Sequence, residues 1–185
     1  MTADVSSSLQ PMAFLDRDGV LNEDSGYLFR SSELIWVDGA LAALARLRRA
    51  GYRVVVVTNQ SGVARGFFTE DDVQQLHQWM QRCIALHGGE VSAFYYCPYL
   101  SDAPLEHYKI DHPDRKPQPG MLMKAARQFP TDLSKSFMIG DKETDMQAAA
   151  AMGVQGFLFN GGNLDDFVAD CLCRLAPTVA TGLPQ

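Results

Sequence analysis

Two aspartates two residues apart, Asp16 and Asp18 in Phe14-Leu15-Asp16-Arg17-Asp18-Gly19, are the residues best placed to do chemistry. On an extended chain both side chains leave the same face. Carboxylates that close repel one another unless a cation or a shared proton separates them. The pair is therefore a site for a hard metal ion, a nucleophile beside an acid–base group, or simply an acidic turn closing a strand. Three further stretches bear on the choice: Thr58-Asn59-Gln60-Ser61-Gly62, Arg115-Lys116, and Gly140-Asp141-Lys142-Glu143-Thr144-Asp145. A hydroxyl, a lysine and more carboxylates around an oxygen nucleophile suit phosphoryl transfer, where cations neutralise the equatorial oxygens.

Such a set works only if separate elements bring it together. The short apolar run 12–15 reads as a buried strand delivering Asp16 to its carboxyl end. Arg53-Val54-Val55-Val56-Val57 is a β-branched run of the kind covered on both faces in a parallel sheet, and it ends at Thr58. Further strands are expected over 91–96, 136–139 and 154–159, the fourth ending at Gly140-Asp141. Between them lie helical patterns. Asp38 is placed to cap a helix carrying Leu41, Leu44 and Leu47, and Thr69 with Asp72 resembles a capping box. Pro119 suits the first turn of a helix ending near Phe129, and Asn163 can cap the last helix. Asp145 falls in a first helical turn, where a carboxylate is favoured without any site. The alternation predicts an α/β fold with a mainly parallel, Rossmann-like sheet whose strand ends converge on one crevice.

Composition sets the bounds. The 185 residues fit one domain over 12–176, with loose tails at 1–11 and 177–185. A formal net charge of -6 argues against a nucleic-acid surface, and no apolar run is long enough to span a bilayer. The opening residues lack the basic start and apolar core of a signal peptide. Cys83, Cys97, Cys171 and Cys173 show no paired framework, so reduced thiols and a cytoplasmic setting are expected; a monomer is expected as well. His77, His87 and His107 read as structural.

The four stretches in this order, an Asp-x-Asp-Gly turn, a strand-end Thr, a Lys before a helix and Gly-Asp-x-x-x-Asp, resemble the motifs of the haloacid dehalogenase (HAD) superfamily over residues 12–160. FLDRDGVLN, TNQSGVARG, RKPQPGM and GDKETDMQAA are similar to its heptose-bisphosphate phosphatase branch, with histidinol-phosphate phosphatases as the sister group. The resemblance implies a HAD-type sheet with helices on both faces. It also implies Mg²⁺-dependent hydrolysis of a sugar phosphate monoester, the 7-phosphate of D-glycero-D-manno-heptose 1,7-bisphosphate. Asp16 would form an aspartyl-phosphate, and Asp18 would serve as acid and then base. Mg²⁺ would sit on Asp16, the backbone carbonyl of Asp18, and Asp141. Thr58 and Lys116 would hold phosphate. Asn59, Gln60, Ser61, Arg65, Arg115 and Lys142, with the loop Asp24-Ser25-Gly26-Tyr27, would contact substrate.

Two features qualify the resemblance. Heptose phosphatases commonly carry a zinc loop, whose positions here read Cys97, Tyr99, His112 and Asp114. One thiolate and a tyrosine make a poor tetrahedral site, so structural zinc is not expected, and Leu100, Leu105, Tyr108 and Ile110 are expected to hold the loop instead. No insertion is large enough for a separate cap domain, which leaves substrate choice to the loops 22–37 and 97–119. A phosphatase for histidinol phosphate or another small monoester is one alternative. A phospho-acceptor or inactive binding module is another, although a pure switch needs no leaving-group acid such as Asp18.

Overall fold

The computed structural model describes residues 9–176. The tails expected at 1–11 and 177–185 lie outside it except for 9–11, where Gln10 forms a parallel bridge with Thr131. Five parallel strands, β1 (Met12–Leu15), β2 (Arg53–Asn59), β3 (Ala93–Cys97), β4 (Phe137–Gly140) and β5 (Gln155–Leu158), form one sheet in the order β3-β2-β1-β4-β5. Successive side chains point to opposite faces, and both faces are covered. Ala13, Leu15, Val54 and Val56 pack into one core with Leu44 and Leu47 of α1 (Ala40–Arg49). Leu76 and Met80 of α3 (Glu70–Leu86) and Val168 of α6 (Leu164–Leu175) complete that layer. Met12, Phe14, Val55 and Val57 pack on the other side against α4 (Gly120–Gln128) and α5 (Glu143–Met152). This double covering is why β1 and β2 carry continuous apolar runs.

The order places β1 at the centre, where the winding reverses. From β1 the chain steps to β2 and β3 on one side, then crosses to β4 and β5 on the other. Ligands of open α/β sheets bind at that reversal, outside the carboxyl ends of the strands. Asp16 follows β1 and Asp141 follows β4, across the switch from one another, with the Asp16 amide still bonded to the Ile139 carbonyl at 2.9 Å.

Element edges differ from the sequence expectation by one or two residues. A short helix, α2 (Ser61–Ala64), was not foreseen within the polar stretch after β2. The Thr69–Asp72 capping box and the Asn163 cap are present. Asp38 does not cap α1. Gly39 takes that position with φ 73°, and Asp38 instead accepts a hydrogen bond from Asn163 Nδ2, tying α1 to α6. In the 97–119 loop Leu100 is buried and Tyr108 packs beside it, but Ile110 is exposed rather than part of that cluster. No helix of the described residues is long and apolar enough to cross a membrane.

Candidate active site

A crevice of about 320 Å³ lies over the carboxyl ends of β1, β2 and β4. It is lined by Asp16, Asp18, Thr58, Lys116 and Asp145 at its floor, and by Asp24, Gly26, Tyr27 and Lys142 at its mouth. The strand stops at Leu15, so Asp16 and Asp18 are not on an extended segment as the sequence suggested. A turn follows in which Gly19 adopts φ +85°, and a Cβ there would overlap the Asp141 carboxylate. The turn thus serves the closeness of two chain segments rather than a simple alternation of faces.

Lys116 is the electrostatic centre. Only 3% exposed, its Nζ lies 2.9 Å from Asp16 Oδ1 and 2.6 Å from Asp145 Oδ1, and it donates to the Val57 carbonyl at 2.9 Å. Burial works against the charge, but the two carboxylates outweigh it and raise the lysine above its ordinary range. Asn59 holds the backbone at this point: its Oδ1 accepts from the Lys116 amide and its Nδ2 donates to the Lys116 carbonyl, both at 3.0 Å. Asn59, expected to offer backbone or side-chain donors to substrate, lines the crevice, with its side-chain amide also tied to the Lys116 backbone.

Asp18 is held more firmly than a turn carboxylate needs to be. It accepts from Arg17 Nε and Nη2, from Asn22 Nδ2 at 2.9 Å and from Gln60 Nε2 at 2.8 Å. Gln60 also donates to Thr58 Oγ1, so its amide too is turned toward the protein. Sequence reasoning missed Arg17, Asn22 and His77. The available signal was a charged residue inside an apolar-to-acidic turn, which reads as solvent-facing until its neighbours are known. Arg17 is fully buried and meets His77 Nε2 at 3.2 Å. Because a guanidinium only donates, that nitrogen must accept, which leaves the proton on Nδ1. Burial first, and the Arg17 charge second, hold His77 well below its usual range.

This depression has a measurable consequence. The unfolded chain binds a proton at His77 near pH 6.5, whereas the folded chain resists it to lower pH. Stability from this group is therefore complete above 6.5 and is lost as pH falls below it. Thermal or urea unfolding across that window should show a slope of up to about 1.4 kcal/mol per pH unit that His77→Gln removes. An identical slope in the variant would refute it.

The other expected contacts divide. Asp24, Gly26, Tyr27, Ser61 and Lys142 line the crevice, and Lys142 Nζ reaches Asp24 Oδ2 at 3.0 Å across its mouth. Tyr27 packs edge-on against Phe67, with ring centroids 4.6 Å apart and both rings about half exposed, which adds an unforeseen aromatic lip. Ser25, Arg65 and Arg115 do not line it. Arg115 instead donates to the Tyr99 carbonyl.

One ligand atom each from Asp16, Asp141 and Asp145 come within 4.8 Å of one another. Asp141 Oδ1 is buried with no hydrogen-bond partner, and Asp141 is pushed up to about 6 by burial and then by the Asp16 charge. An orphaned oxygen among all-oxygen donors fits a hard divalent cation such as Mg²⁺. The carboxylate of Asp18 is not in the cluster, whereas Asp145, which the sequence left as a helix-end carboxylate, is. The zinc-loop positions do not fit a metal. Tyr99 stacks on His112 with centroids 4.4 Å apart, Asp114 pairs with Lys124, and His112 Nδ1 accepts from the Asp114 amide. Burial also pushes the Cys97 thiol up, away from thiolate.

A family model described as HAD-hydrolase-like matches residues 114–170. The chain is 43% identical over 175 residues to D-glycero-β-D-manno-heptose-1,7-bisphosphate 7-phosphatase from Rhodopseudomonas palustris, covering 95% of this chain and 96% of that one. The crystal structure of a D,D-heptose 1,7-bisphosphate phosphatase from B. bronchiseptica, complexed with magnesium and phosphate, is 38% identical with a TM-score of 0.73. That match covers 95% of this chain and 89% of the other. A protein from Mesorhizobium loti described as a HAD-like phosphatase is 35% identical with a TM-score of 0.82, covering 90% and 86%.

Proposed function

This chain belongs to the heptose-1,7-bisphosphate 7-phosphatase family of HAD-like phosphoric monoester hydrolases, and from that premise we propose that it removes the 7-phosphate of D-glycero-D-manno-heptose 1,7-bisphosphate. The observation that carries this reading is the joining of Asp16, Asp18, Thr58 and Lys116 in one crevice, in a chain matched to its relative over nearly the whole length of both. The loops 22–37 and 97–119, which bound substrate choice, fall within that span.

Asp16 is the nucleophile in this scheme. Its contacts with Lys116 Nζ and the Arg17 amide both fall on Oδ1, which leaves Oδ2 to form the bond to phosphorus. As the phosphorus–sugar oxygen bond breaks, Asp18 supplies a proton to the departing oxygen. Asp18 then takes a proton from water, whose oxygen attacks phosphorus and frees Asp16 and inorganic phosphate. Thr58 and Lys116 face the transferring group, the lysine offsetting charge that builds on its oxygens. Asp16, Asp141 and Asp145, with the carbonyl of Asp18, would hold Mg²⁺, which when bound supplies a fixed positive charge beside the phosphate. Lys142 and Tyr27 at the mouth would meet the sugar or its second phosphate.

The test is phosphate release by the purified chain from both anomers of the heptose bisphosphate, histidinol phosphate and a panel of sugar phosphates. With Mg²⁺, kcat/KM should be highest for one heptose bisphosphate anomer, and EDTA should remove turnover. Highest kcat/KM for histidinol phosphate would replace the substrate assignment, and release from none would end the hydrolase reading. An aspartyl-phosphate persisting for hours would favour a phospho-acceptor.

A further inference from the structure

We infer that Arg17 and His77 are positioning residues that hold the Asp18 carboxylate at the angle proton transfer requires. The inference rests on the reading of Asp18 as acid and base. Arg17 Nε and Nη2 reach Asp18 Oδ1 at 3.1 and 2.9 Å, and Nη2 also reaches Oδ2 at 2.9 Å. Such a fork fixes the plane of a carboxylate, which a single-point contact cannot do. The guanidinium is fixed in turn from behind, by the Leu28 carbonyl at 3.2 Å and by His77 Nε2. His77 stacks on Phe94 of β3 at 4.6 Å and lies on α3, so the chain of contacts ends on rigid elements.

Stability is a weak reason for this arrangement. Burying an ion pair costs desolvation of both charges, and apolar replacements of equal volume are often no less stable. The identity of the third member is more telling. A carboxylate at position 77 would draw the guanidinium away from Asp18, whereas a neutral imidazole accepts one N–H and competes for no charge. His77 is held neutral by its burial. The other donors to Asp18 are the neutral amides of buried Asn22 and of Gln60, which lines the crevice, so the charged grip comes from Arg17 alone.

The experiment compares two leaving groups in the first step alone, read as release of sugar or nitrophenol in a single turnover, because the later use of Asp18 as a base is common to both. A sugar oxygen needs a proton as it departs; the nitrophenolate of p-nitrophenyl phosphate is stabilised and does not. General acid catalysis contributes roughly 100- to 10,000-fold, and a small misplacement of the acid forfeits part of that. His77→Leu should lower single-turnover release of the sugar by about tenfold or more, with half-saturation little changed and single-turnover release of nitrophenol nearly intact. His77→Gln, which keeps an acceptor, should recover most of the loss. If His77→Leu does not fold, Arg17→Lys, which keeps the charge and loses the fork, should show the same split. Equal falls on both substrates, or no rescue by glutamine, would reduce the two residues to structural support and overturn the inference. Asp18→Asn separates the two ideas. If it splits the substrates strongly and His77→Leu and Arg17→Lys do not, the positioning inference alone fails. If Asp18→Asn shows no split, the role of Asp18 fails and the inference with it.

Discussion

Asp16→Asn should lower phosphate release by about 10,000-fold or more, as loss of a covalent nucleophile does in other enzymes. The substitution keeps shape and removes only the attacking oxygen and one charge. The introduced amide can still accept from the Arg17 backbone N–H through its oxygen, and Lys116 keeps Asp145 and the Val57 carbonyl. The fold should therefore survive. Its stability without metal should hold or rise, because one of three close carboxylates has become neutral. Phosphate release and urea unfolding of the same preparation check both halves. Activity above about one hundredth of the parent would remove Asp16 from the nucleophile's role. Lost activity with a collapsed fold would leave catalysis to be read from Asp16→Ser in its place.

Lys116→Met should act on stability as much as on rate. Methionine fills much of the same volume but leaves Asp16, Asp145 and the Val57 carbonyl facing one another without a cation. Breaking a buried pair from one side typically costs about 3–5 kcal/mol, since the remaining charge stays buried. The lysine is raised in the folded state, so its contribution is complete below the unfolded value of 10.5 and is lost only as pH rises past it. The full cost should therefore appear near neutral pH. Urea unfolding in EDTA should show a loss of about 3 kcal/mol or more, with part of it returned by Mg²⁺. A loss under about 1 kcal/mol would mean that the carboxylates relax away from one another once the lysine is gone. Turnover should fall by about 100-fold or more, as expected when a charge facing a phosphoryl group is lost.

Local pattern was enough to find most of the residues that come together over the strand ends. The β-branched run before Thr58 and the apolar run before Asp16 mark buried strands, and polar residues straight after such strands meet at the crevice of an open parallel sheet. That is why Asp16, Thr58 and Asp141 were legible from order and spacing, while Lys116 was placed by its position just before a helix. Most capping signals also held, since a cap depends on a few neighbouring residues, as in Thr69 with Asp72.

Partners were a different matter. Asn59 and Gln60 line the crevice as expected, but what order and spacing did not show is that their side-chain amides also serve Lys116, 57 residues away, and Asp18, 42 residues away. Arg17 drew no reading from the sequence, and its burial against His77, 60 residues on, depends on how α3 packs over the sheet. Asp38 looked like a cap until α6 supplied Asn163 as its partner. Sequence by itself determined the five strands, the longer helices and most of the side chains they carry to the crevice, because periodicity, turn chemistry and strand ends are short-range. Tertiary structure alone decided how each side chain spends its hydrogen bonds. A buried polar group must find a partner somewhere, and here those partners come from elements far apart in the chain.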